Sequence, residues 1–101
     1  MQFDFEVGLL ERHRVSYAYD RNRRNLEIKV DGVAVRNGLR IMSLNLIRRY
    51  HFVVGERERH RVVIEKDRDL PLLSFRPRTY RAWVDGLLVA VRAVLHQGVE
   101  V

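Results

Sequence analysis

Five residues, Glu11-Arg12-His13-Arg14-Val15, recur unchanged as Glu58-Arg59-His60-Arg61-Val62. Each copy is followed by Val-Asp-Gly, at 30–32 after the first and at 84–86 after the second. Two phrases repeated in the same order within 101 residues constrain the chain to two similar halves. The distance from Val15 to Val30 is 15 residues and that from Val62 to Val84 is 22, so the second half carries about seven extra residues, placed around Leu70 to Pro77.

The phrases sit inside period-two patterns. His13, Val15, Tyr17 and Tyr19 alternate with Arg14, Ser16, Ala18 and Asp20, the signature of a strand with one wet face. Leu26, Ile28 and Val30 alternate with Glu27 and Lys29 across a polar turn at 21–25. His60, Val62 and Ile64 repeat the phase of the first copy, and Tyr80, Ala82 and Val84 lead into the second Asp-Gly. Asp-Gly between alternating runs predicts a two-residue hairpin turn, because both central residues need positive φ. Asn37-Gly38 is a further turn signal. Tyr50, Phe52 and Val54 predict another strand, ended by Gly55.

A lone hairpin cannot bury its apolar face, whereas two similar units packed face to face can. The expected fold is all-β: one domain over 1–101, an antiparallel two-layer β-sandwich built from two similar hairpin units. The expected core is Val15, Tyr17, Leu26, Ile28, Phe52, Val54, Val62, Ile64, Tyr80 and Ala82. Residues 39–47 change phase midway, which a bulged strand or a helix would explain. Residues 87–96 read either as a valine-rich strand or as a short C-terminal helix stopped by Gly98.

Composition limits the function classes. There is no cysteine, which excludes disulfides and thiolate chemistry. The longest apolar run, Leu87 to Val91, is far shorter than the roughly 20 residues of a membrane span, and MQFDFEVGLL lacks the basic start of a secretory signal. The expectation is a cytoplasmic protein without a membrane partner. The net charge of +6 comes from 17 Arg and 2 Lys against 13 acids. That balance admits a polyanion ligand, and it equally suits a solvated sheet face.

The pattern resembles the Fas apoptotic inhibitory molecule family. Its repeated unit looks like HRVSYAYD…LEIKVDGVAV here, its next element like IMSLNLI…YHFVVG, and its return unit like HRVVIEKD…YRAWVDGLLV, over roughly residues 3–90. The resemblance implies a compact antiparallel β-sandwich. It also implies a cytosolic, non-enzymatic, protective or regulatory role exercised through protein contacts. The animal proteins carry two such domains, and this chain is one domain long. The family has no catalytic motif, so no active residue follows from it.

Individual residues offer little chemistry. His13 and His60 occupy equivalent strand starts, where they would serve as a metal or pH-sensitive pair or as rim rings bonded to backbone carbonyls. Asp31 and Asp85 are accounted for by their turns. Ser16, Ser43 and Ser74 lack a nucleophile elbow, and no phosphate loop or metal box is present. The expectation is therefore no enzyme, no catalytic residue, no metal and no cofactor.

Trp83 is out of phase with its apolar neighbours and falls on the outer face as a candidate contact anchor, unless a bulge turns it inward or a C-terminal segment covers it. If every strand crosses the sandwich, one end collects Arg21, Arg23, Arg24, Arg57, Arg59, Arg76 and Arg78. Two function classes follow. The first is a binding module working through protein contacts, expected as a homo-oligomer. The second, less favoured, is nucleic-acid or polyanion binding through the arginine-rich end, since single-strand binders pair basic grooves with several stacking aromatics.

Overall fold

A computed structural model describes residues 1–20, 23, 25–44, 47–67 and 78–94. Its strands are β1 Gln2–Val7, β2 His13–Asp20, β3 Asn25–Val30, β4 Val33–Ala34, β5 Arg40–Leu44, β6 Ile47–Val54, β7 His60–Asp67, β8 Arg78–Val84 and β9 Leu87–Val94. The fold is all-β and antiparallel. One sheet has the order β1-β2-β3-β4, the other β5-β6-β7-β8-β9, and the two pack together as a β-sandwich.

The repeat is a structural repeat of three strands. Val15 pairs with Val30 across β2 and β3, and Val62 pairs with Val84 across β7 and β8. Val7 pairs with His13, and Val54 pairs with His60. The unit β1-β2-β3 is therefore matched by β6-β7-β8, one in each layer. The turns behave as their sequence demands: Asp31 and Asp85 have φ of 52° and 50°, followed by Gly32 and Gly86 at 82° and 83°.

The inward phases meet in one apolar cluster. Nine of the ten expected core residues are buried, and Leu26 is packed partly buried at its margin. Three tyrosines fill the centre: Tyr17 lies 6.2 Å from Tyr50 and 5.6 Å from Tyr80, ring centre to ring centre. Phe3, Phe5 and Val7 of β1 complete it. β1 is buried at every second residue, a strand that the expected core did not include.

Of the two readings of residues 39–47, the strand holds: β5, Arg40–Leu44, pairs antiparallel with the next strand, β6, and a helix over 40–44 is excluded. The phase change arises because edge strand β5 carries apolar residues on both faces, Ile41 in the row of Tyr50 and Met42 in the row of Arg49, and both are exposed. Residues 87–94 are a strand, so a helix there is excluded; residues 95–96 lie outside the described residues.

The expected arginine-rich end needs correction. β4 is too short to cross the sandwich, so loop 55–59 lies at the end opposite to the one the crossing count gives, whereas Arg78 stays at the end where β2 stops. Loops 8–12, 31–32, 55–59 and 85–86 share one end. The far end is where β2 stops at Asp20, β7 stops at Asp67 and β8 starts at Arg78. Arg57 and Arg59 are thus separated from Arg23 and Arg78 by the length of the strands. No single end gathers these four arginines. Arg21, Arg24 and Arg76 lie outside the described residues.

Candidate functional site: the outer face of the five-stranded sheet

The end that holds the repeated phrase fixes the strands that carry the site. Identity between the two units extends upstream to Val7-Gly8 and Val54-Gly55. Gly8 and Gly55 have φ of +101° and +103°, and a Cβ on either would stand 2.0 or 2.1 Å from the carbonyl oxygen of Glu11 or Glu58. Glycine alone closes this loop. The tight turn points successive N–H groups outward, and each loop's N–H groups receive the other loop's carboxylate.

Glu58 accepts from the N–H groups of Leu9, Leu10 and Glu11 at 2.7, 2.8 and 3.0 Å. Glu11 accepts from Glu56, Arg57 and Glu58 at 3.1, 3.2 and 3.0 Å. The two halves exchange carboxylates across the sandwich. These bonds hold the Glu58 carboxyl at about 2 and lower that of Glu11.

Each loop also anchors a histidine. His13 Nδ1 lies 2.6 Å from Asp31 Oδ2, and His60 Nδ1 lies 2.6 Å from Asp85 Oδ2. The second oxygen of each aspartate accepts the N–H of Arg14 or Arg61, at 2.8 and 2.9 Å. His60 Nε2 is a further 2.8 Å from Glu58 Oε1. A carboxylate offers no proton, so a ring flanked by two carboxylates must donate from both nitrogens, as imidazolium. Asp31 raises the titration of His13, and Asp85 followed by Glu58 raises that of His60.

These rings are rim histidines bonded to carboxylates rather than to backbone carbonyls. The aspartates do more than make a turn. Among the described residues no group of three or more His, Cys, Asp or Glu is arranged to hold a metal.

The sheet faces held by this frame differ in kind. On the outer face of the four-stranded sheet, Arg14 lies 3.7 Å from Asp4 and 3.9 Å from Glu6, and Lys29 lies 3.2 Å from Glu27. Ser16 and Ala18 stand between them. This is a solvated face whose charges answer one another.

The register reads the five-stranded face in rows. One row runs Arg40, His51, Val63, Trp83, Leu88; the next runs Met42, Arg49, Glu65, Arg81, Val91. Val53 pairs with Arg61 in the row nearest the clasped loops. Met42, Val53, Leu88 and Val91 are exposed here, interleaved with cations.

Glu65 organises the second row. Only 8% exposed on an outer face, it is bonded to Arg49 Nε at 2.8 Å, approached by Arg81 Nε at 3.7 Å, and hydrogen-bonded by the indole N–H of Trp83. Arg81 also reaches Asp67 at 3.1 Å. A buried carboxylate needs such partners.

Trp83 consequently stays on the outer face, half-buried and with its ring orientation fixed. A bulge does occur here, but the extra residue belongs to β9 and Trp83 is not turned inward. Around it opens a groove of about 840 Å³, lined by Val53, Val63, Trp83, His51, Arg59 and Arg61 among others. Glu65 was not singled out from the sequence. Its position in a charged row depends on the pairing of three strands distant in the chain.

The remaining candidate arginines divide. Arg59 and Arg57 are exposed, Arg59 on the groove. Arg23 lies 3.9 Å from Asp20 in its own turn. Arg78 is 9% exposed on the inward phase of β8, so it is not a surface contact. Lys66 is also inward, its Nζ 3.5 Å from the centre of the Tyr19 ring. No helix among the described residues is long and apolar enough to cross a membrane.

Fold and site define a small all-β sandwich with one solvated outer face and one grooved outer face. Set against protein-family models, curated proteins and solved structures, the chain has no match.

Proposed function

We propose that this chain is a non-enzymatic binding module that works through protein contacts made by the outer face of its five-stranded sheet. The observation that carries the reading is the contrast between the two outer faces. One is a set of mutually neutralised charges. The other presents a half-buried tryptophan, braced by Glu65, within exposed apolar side chains and arginines. Tryptophan and arginine at the centre of an apolar patch are the residue types that dominate contact energies.

The resemblance to the Fas apoptotic inhibitory molecule family points the same way, towards cytosolic protein contacts. Self-association into a homo-oligomer is one form such contacts take. Polyanion binding through one arginine-rich end is the less favoured reading, since Arg57 and Arg59 stand at the opposite end from Arg23 and Arg78.

Three variants test the reading: Val63→Glu and Trp83→Ala on the grooved face, and Ser16→Glu on the opposite face. With folding checked by circular dichroism, proteins recovered with the wild-type chain from native extracts should be lost with the first two and kept with the third. Truncating Trp83 should weaken the contact by about 2 kcal/mol or more. Equal behaviour of all three variants would contradict the proposal.

A further inference from the structure

We infer that the groove beside Trp83 accepts an extended segment of a partner protein that carries carboxylates next to an aliphatic side chain; this rests on the contact face proposed above and names what it binds. The groove's own acids are already committed. Glu65 is taken up by Arg49, Arg81 and Trp83. Asp85 is taken up by His60 and by the N–H of Arg61.

Its cations are not committed in the same way. The guanidinium groups of Arg59 and Arg61 are exposed and form no salt bridge among the described residues, although Arg61 lies near enough to help lower Asp85. On the floor, His51 Nε2 is a buried ring nitrogen with no hydrogen-bond partner. The groove therefore offers surplus positive charge at the clasped end, an apolar step formed by Val53, Val63 and Trp83, and one unanswered polar atom beyond it.

An extended chain suits this layout, because its side chains alternate and every second one meets a flat sheet face. Carboxylates would bond the guanidinium forks of Arg59 and Arg61, a geometry that arginine favours. An aliphatic side chain would cover Trp83 and Val63. A nucleic-acid strand fits less well, since Trp83 is the one indole here and its N–H edge is already bound to Glu65.

The test is a selection of displayed random peptides on the immobilised full chain, followed by titration of resynthesised, tryptophan-free binders. Trp83 is the chain's single tryptophan, so its emission reports binding directly. Selected sequences should be rich in Asp and Glu around an aliphatic residue and should shift Trp83 emission. They should lose roughly tenfold in affinity per arginine removed in R59Q and R61Q, about the value of one charge-assisted contact.

Binders that lack acids, yet are abolished by W83A, would overturn the inference and leave the contact face standing. Binders indifferent to W83A and V63E would overturn both. Displacement of the selected peptides by an oligonucleotide or heparin at physiological salt would overturn the peptide in favour of a polyanion. A selection that enriches nothing would overturn it as well.

Discussion

Tyr17 carries its hydroxyl into the middle of the core, where it is fully buried and meets no hydrogen-bond partner. Burial pushes its ionisation far upward, and the ring is retained for the volume it fills between Phe3, Tyr50 and Tyr80. Tyr50 differs, because the Arg48 guanidinium acts against the upward push that burial gives its hydroxyl. An unanswered buried hydroxyl costs more than it returns. Tyr17→Phe should therefore leave stability unchanged or raise it by up to about 2 kcal/mol in urea unfolding. A loss above about 1 kcal/mol would mean the hydroxyl is satisfied after all. Glu65 follows the same rule from the other side: a buried polar group persists on an outer face because Arg49 and Trp83 bond it and the Arg81 guanidinium stands close by.

The exchanged loops make pH a probe of the elements they join. His13 and His60 titrate above their ordinary 6.5, so their contribution is complete below that value and fades as pH rises through the raised ones. Asp31, Asp85, Glu11 and Glu58 titrate below their ordinary 3.8 and 4.5, so theirs is complete above those values and is lost as pH falls through the lowered ones, for Glu58 near 2. Thermal unfolding followed by circular dichroism should show a Tm plateau between about 4.5 and 6.5, falling on both sides. A Tm that climbs steadily from 6.5 to 8 would contradict the pairing of the histidines with carboxylates. The repeat was legible as two strand-turn-strand units because alternation and Asp-Gly act locally. The exchange of Glu11 and Glu58 was not, because it needs two loops 47 residues apart to meet. The arginine-rich end failed for a related reason: the count hinges on β4, and two residues suffice for a hairpin turn without crossing a layer.

The whole molecule divides its labour between an end and a face. At the clasped end, each half of the chain supplies the carboxylate that closes the other half's loop, so the repeated phrase is spent on holding the layers in register. The five-stranded sheet is left to present Trp83, Val63 and the arginines around them. This division was partly readable: the out-of-phase position of Trp83 marked the face, while Glu65 and the contrast with the opposite sheet emerged only from the strand order. The most direct test places a photo-crosslinking amino acid at Val53 on the grooved face and, separately, at Glu27 on the opposite face, in the full chain inside cells. Both positions are exposed. Covalent protein adducts should form from position 53 and not from position 27. Adducts from position 27 alone would place the contact on the other sheet and contradict the account.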